Sequence, residues 1–121
     1  MAKTKTIRKF KSNASRDTDE GKIQYARHLS PEALKAFCEY MHKHRKIDGG
    51  LREPDNWKKG FPKQSFMDSG FRHQMEVWRL HELRKTRGWL IIKEKEELKD
   101  ALCGVWFNCM GFLHEELKDK F

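Results

Sequence analysis

The sequence predicts an all-α protein, a small helical bundle of about three main helices with a long ordered loop, completed by oligomerisation. Three observations carry that expectation. Apolar residues recur at helical spacing in three segments, and starting or stopping residues flank them. A stretch with two prolines and one glycine, residues 51–65, separates the first segment from the second. The second and third segments are apolar over broad faces, more than a three-helix core of this size hides, so a second subunit is expected to complete the bundle.

Residues 1–15 read as a basic, flexible tail and residues 16–121 as a single helical domain. Lys3, Lys5, Arg8, Lys9 and Lys11 precede the first acid, and the other 21 basic residues face 18 acids, so most of the formal net charge of +8 belongs to the tail. Such a tail suits anionic partners, including weak nucleic-acid contact through residues 3–11. It also suits a solubilising, poorly ordered end. Residues 16–29 open with a polar turn and continue as a short extended piece holding Ile23 and Tyr25.

"LSPEALKAFCEYMHKHRKIDGG" predicts the first helix. Ser30 is a good N-cap, Pro31 fits the first helical position, and Glu32 favours the positive end of the dipole. Leu34, Phe37, Cys38 and Met41 share a face. Lys43, Arg45 and Lys46 fall in the last turns, and Asp48-Gly49-Gly50 reads as the stop.

The loop at 51–65 is long for a small domain, which points to a task. It carries Trp57 between Asp55-Asn56 and Lys58-Lys59. An aromatic flanked by cations can stack on a base and contact phosphate. It can also plug the loop onto the helices.

Residues 65–84 predict the second helix, with Phe66, Gly70, His73, Val77 and Leu80 on one stripe and Met67, Phe71 and Trp78 beside it. A connection follows around Gly88, with a short strand-like or packed apolar piece at 89–92. Residues 95–120 predict the third helix. Leu98, Leu102, Val105, Cys109, Phe112 and Leu117 make its apolar side, widened by Trp106, Met110 and Leu113.

No apolar run approaches the roughly 18–20 residues of a membrane span, so no membrane partner is expected. The N-terminus lacks the apolar region of a secretory signal. Cys38, Cys103 and Cys109 fit neither metal spacing nor a disulfide framework, and read as buried, reduced thiols of a cytoplasmic protein.

Two polar arrangements sit on apolar faces. On the third helix, Glu97, Ala101, Gly104, Asn108, Gly111 and Glu115 fall on one line. Each glycine costs about 1 kcal/mol against alanine in a helix. That cost is sensible where another helix or a flat ligand must approach closely. On the second helix, Asp68, Arg72 and Glu76 form either a surface ion-pair ladder or part of a site, and His73 is either core filler or a site residue. His73 and Glu76 read H-x-x-E, and Glu97 and Asp100 read E-x-x-D. Two such pairs on antiparallel helices can converge as ligands for Mg²⁺ in phosphate chemistry.

Several blocks together resemble the phage and prophage family of dATP/dGTP diphosphohydrolase N-terminal domains: "RDTDEGK", "LSPEAL", "EYMHKHR", "DNWKKGFP", "MDSGFRHQMEVW" and "EELKDALCGVWFNCMGFLHE". They span about residues 14–118. The resemblance implies an all-α enzyme that cuts a deoxynucleoside triphosphate to the monophosphate and pyrophosphate, in the host cytoplasm if the chain is phage-encoded. Arg72-His73 match the family's Arg-His pair, Trp57 and Lys59 its Asn-Trp-x-x-Gly loop, and Asn108 its late Asn. His81-Glu82 stands where many relatives carry a Gly-Glu and Asp-Glu cluster. Ala101 and Gly104 lie near where relatives carry histidines.

The resulting expectation is a nucleotide-handling protein. As a hydrolase it would use His73, Glu76, Glu97 and Asp100 in catalysis, with Glu76, Glu82, Glu97 and Asp100 holding Mg²⁺. Arg16, Lys22, Trp57, Lys59, Arg72 and Asn108 would bind the nucleotide. The rival expectations are a non-catalytic binder that sequesters a nucleotide or cyclic-nucleotide signal, and a nucleic-acid-binding protein that uses its tail.

Overall fold

Gly88 sets the architecture of the larger unit. It adopts φ 92° and ψ −6°, a left-handed conformation that glycine reaches without strain. Its N–H donates to the Arg84 carbonyl at 2.7 Å, ending one helix. The Ile91 N–H then donates to Glu94 Oε1 at 3.0 Å and starts the next. In the computed structural model, which describes residues 7–9, 11–18 and 20–119, these helices are α2 (Lys63–Arg87) and α3 (Ile92–Lys118). Lys63 pairs with Glu116 at 2.8 Å and with Asp119, while Arg87 pairs with Glu94. The start of each helix thus lies beside the end of the other, and the two run antiparallel.

The line of small residues on α3 is where α2 packs. Gly70 faces the Asn108 side chain, Gly104 faces the His73 ring and Gly111 faces the Phe66 ring. Of the two explanations for the α3 glycines, the close approach is that of another helix.

α1 (Pro31–Lys43) lies along α3. Phe37 stacks on Trp106 with ring centroids 4.5 Å apart, and Lys43 Nζ donates to Asp100 at 2.6 Å. Phe37, Phe66, Leu80, Leu90, Ala101 and Cys103 form the buried apolar core, with Asn108 as its buried polar member.

α1 starts where the sequence predicts and stops earlier. The next residues form a hairpin of β3 (Lys46–Ile47) and β4 (Gly50–Leu51), with Ile47 opposite Gly50. The Arg52 N–H extends it, donating to the Arg45 carbonyl at 2.7 Å. Asp48-Gly49 is a hairpin signal as well as a helix stop, and Gly49 at φ 86° supplies the turn. The loop after it contains one short 3-10 helix, Asn56–Lys59.

Residues 1–30 form a separate compact unit. β1 (Ile7–Lys9) pairs antiparallel with β2 (Ser15–Asp17), Arg8 opposite Arg16. Asn13, at φ 67°, lies in the intervening turn. A short 3-10 helix follows at Tyr25–His28. The basic stretch read as a tail therefore holds a hairpin, and the division between units falls after Ser30 rather than after residue 15. Lys3 and Lys5 lie outside the described residues, whereas Lys9 and Lys11 are exposed.

Two expectations about burial are corrected. Cys103 is buried, but Cys38 and Cys109 are exposed. On α3 the buried residues are mainly the small ones, while Leu102, Leu113 and Leu117 are at least half exposed. Among the described residues, no helix is long and apolar enough to cross a membrane.

Candidate functional site

A cavity of about 310 Å³ opens where α1, the β3–β4 hairpin, the following loop and the α2–α3 pair meet. Tyr40, Met41 and His44 come from the end of α1 and its extension, and Arg45 and Arg52 from the flanks of the hairpin. The loop contributes Glu53, Asn56, Trp57 and Phe61. The helical floor holds Ser65, Phe66, Ser69 and His73 of α2, with Phe107 and Asn108 of α3.

The basic groups are placed by backbone structure. The hairpin turns the chain back on itself, so Arg45 Nε donates to the Arg52 carbonyl at 2.7 Å. Arg45 and Arg52 thereby line one wall with His44, and Arg52 Nη1 donates to the His44 carbonyl at 3.5 Å. Glu53 is the one acidic residue among the described residues of that lining.

The floor is polar at one point. Asn108 is only 4% exposed. Its Nδ2 donates to the Gly104 carbonyl at 2.7 Å and to Ser69 Oγ at 3.2 Å. The Gly104 carbonyl can only accept, which fixes the orientation of the amide. Among the described residues, no donor reaches Asn108 Oδ1. A buried acceptor without a donor costs free energy, so a ligand N–H or O–H there would be favourable.

His73 is half-buried with its ring on Gly104. Burial holds its pKa below the ordinary histidine value, and the positive charges of Arg72 and His44 add to that effect. The imidazole is therefore neutral near pH 7, with one nitrogen to donate and one to accept.

Trp57 serves the loop and the cavity together. Its ring meets His114 edge-on at 4.9 Å and Phe107 at 6.5 Å, pinning the loop to α3. Lys58 Nζ lies 5.8 Å from its centroid. Phe66 extends the aromatic wall, with Phe61 and Phe107 around it at 5.8 and 6.1 Å.

Of the residues singled out from sequence, His73, Trp57 and Asn108 share this cavity. Arg72 and Lys59 are exposed and do not line it. Arg16 and Lys22 are exposed residues of the first unit. The acids are not brought together as a set. Glu76 binds Arg79 at 2.5 Å, Glu97 lies 3.7 Å from the same guanidinium, Asp100 binds Lys43 at 2.6 Å, and Glu82 meets Lys85 at 3.4 Å. Among the described residues, no three His, Cys, Asp or Glu side chains are grouped to hold a metal ion. The residues expected to ligate Mg²⁺ thus do not fit it in this arrangement, because each is matched to a cation of the chain.

Sequence reasoning missed His44, Arg45, Arg52 and Phe107. Reading Asp48-Gly49 as a hairpin turn would have paired Arg45 with Arg52. Phe107 carried no usable signal, since it sits on the flank between two apolar stripes. No protein-family model, characterised protein or solved structure matches the chain.

Proposed function

We propose that the cavity binds a mononucleotide and releases it unhydrolysed. The observation that carries this reading is the separation of charges. Two arginines gather on an aromatic-lined cavity whose described lining holds one acid, Glu53, while Glu76, Glu82, Glu97 and Asp100 are held elsewhere by Lys and Arg. Arg45, Arg52 and His44 supply donors for phosphate oxygens. Trp57 and Phe107 offer apolar ring surface to a base. Asn108 Oδ1 accepts a base N–H. The cavity lies near the small end of the roughly 300–1,000 Å³ range of ligand sites, which suits one nucleotide and not an oligomer.

This choice favours the sequestering binder over the hydrolase. Titration calorimetry with each nucleoside mono- and triphosphate, followed by chromatography of the recovered ligand, tests it. Saturable binding with intact nucleotide is expected, weakened about tenfold by Arg52→Gln through loss of a charge-assisted contact. Absence of binding would defeat the reading. So would pyrophosphate release that Glu97→Ala abolishes.

A further inference from the structure

α1 and the loop cover one side of the α2–α3 pair; no element of residues 31–119 covers the other. There a groove of about 250 Å³ runs between the two helices, lined by Met67, Phe71 and Gln74 of α2 and by Val105, Cys109 and Phe112 of α3, with Phe66, Gly70 and Asn108 between them. Met67 is 41% exposed, Phe71 63%, Trp78 59% and Leu102 51%. Scattered apolar residues on a surface need no explanation, but a contiguous strip along two helices does.

The spacing identifies the kind of partner. On α2 the strip runs Met67, Phe71, Gln74, Trp78, in steps of four, three and four. On α3 it runs Leu98, Leu102, Val105, Cys109, Phe112, in steps of four, three, four and three. Alternating steps of three and four are the heptad pattern by which one helix receives the side chains of another. Neither strip contains a charged residue. Each element therefore presents an unfilled helix-packing seam, and the two seams lie side by side.

We infer that a second copy of this chain fills the groove, so that two α2–α3 pairs form a four-helix bundle about a two-fold axis. A copy supplies what the surface asks for: two uncharged heptad seams, about 21 Å long on α3 at 1.5 Å per residue. The area is also of the right order. Phe71 and Trp78, of a class that buries about 150–250 Å² per side chain when fully covered, are 63% and 59% exposed, so the nine strip residues together have on the order of 600 Å² left to bury. Each partner in a standard stable interface buries about 800 Å². The same patch serves both partners, as a two-fold interface requires. Asn108 and Phe66 lie between the groove and the cavity, whose other walls, Arg45, Arg52 and Trp57 among them, belong to the side of α1 and the loop, so assembly leaves its mouth open.

Sedimentation velocity on the full chain, from low micromolar to near-millimolar concentration, tests the inference. A dimer is expected, with Phe71→Glu and Trp78→Glu each converting it to a monomer of unchanged helical circular dichroism. The unmodified chain gives a second readout. Maleimide labelling of Cys109, in the groove, should slow several-fold as the dimer forms, while labelling of Cys38 on α1 should not. A monomer throughout the range overturns the inference. So does a dimer whose Cys109 stays as reactive as in dilute solution, because its interface would lie elsewhere. Nucleotide titration of the Trp78→Glu monomer separates the two readings, since Trp78 lines neither the groove nor the binding cavity.

Discussion

The imidazole of His73 rests against the bare Cα of Gly104. A Cβ at residue 104 would fall 2.6 Å from two ring atoms and 2.7 Å from a third. No side chain fits that space unless the ring or the helix moves. Gly104→Ala therefore sets a helix-propensity gain of about 1 kcal/mol against overpacking that typically costs about 1–3 kcal/mol. Overpacking wins, because the obstacle is a ring held between two long helices and not the free end of a flexible chain. We expect a net loss of about 1 kcal/mol or more in urea unfolding. Gly111→Ala, which meets the Phe66 ring more closely still, should lose at least as much. An unchanged or raised midpoint for Gly104→Ala would show that α2 and α3 are not packed this closely.

Asn108 makes a different demand, on the ligand. Its Nδ2 is occupied by Gly104 and Ser69, and among the described residues Oδ1 is left without a donor. A base that presents an N–H there gains a buried hydrogen bond, worth about 1–3 kcal/mol against a partner that leaves the acceptor empty. Paired nucleotides that differ only by an exocyclic amino group should thus differ in affinity by roughly tenfold. Asn108→Ala should erase that difference while keeping the Cβ that packs on Gly70. Discrimination that survives the substitution would place the base elsewhere.

The three helices were legible because their apolar residues recur at helical spacing and because Ser30-Pro31 and Gly88 punctuate them. The face assignment of α3 was not. Leu98, Leu102, Val105, Cys109 and Phe112 look like a core stripe, yet α2 packs on the neighbouring line of Ala101, Gly104, Asn108 and Gly111. Hydrophobicity marks surfaces that avoid water, whereas close helix packing selects small residues. The pattern alone could not say which face meets α2 and which meets something else. For the cavity, His73, Trp57 and Asn108 were visible as polar or aromatic residues in unusual places. Arg45 and Arg52 were not, because a hairpin joins them and its turn also reads as a helix stop.

The half-buried position of His73 gives stability a pH dependence of known sign. Burial, Arg72 and His44 lower its pKa in the folded chain from the ordinary value of 6.5. The unfolded chain therefore takes up the proton first as pH falls. Stability is at its full value above the unfolded pKa, and declines as pH drops from there towards the folded pKa. The melting temperature should fall on acidification through this window. His73→Phe keeps a flat ring against Gly104 and removes the proton, so its melting temperature should change less over the same window. Parallel curves for the two proteins would show that His73 titrates as in solvent.

Arg79 decides the role of metal. It donates to both carboxylate oxygens of Glu76, at 2.5 and 3.0 Å, and lies 3.7 Å from Glu97. These hydrogen bonds lower the pKa of Glu76 and raise that of Arg79. A divalent cation at this point would have to displace a guanidinium already matched to both carboxylates, and Asp100 would have to leave Lys43 to join them. Nucleotide affinity should therefore stay within about twofold when Mg²⁺ is replaced by EDTA, a change well below 1 kcal/mol. Arg79→Ala frees Glu76 and Glu97 without touching the cavity wall, so it should leave nucleotide affinity unchanged. Calorimetry in Mg²⁺, in Mn²⁺ and in EDTA measures both. A collapse of wild-type affinity in EDTA would mean that the acids reorganise around a metal, and would restore the hydrolase as the better reading of this chain.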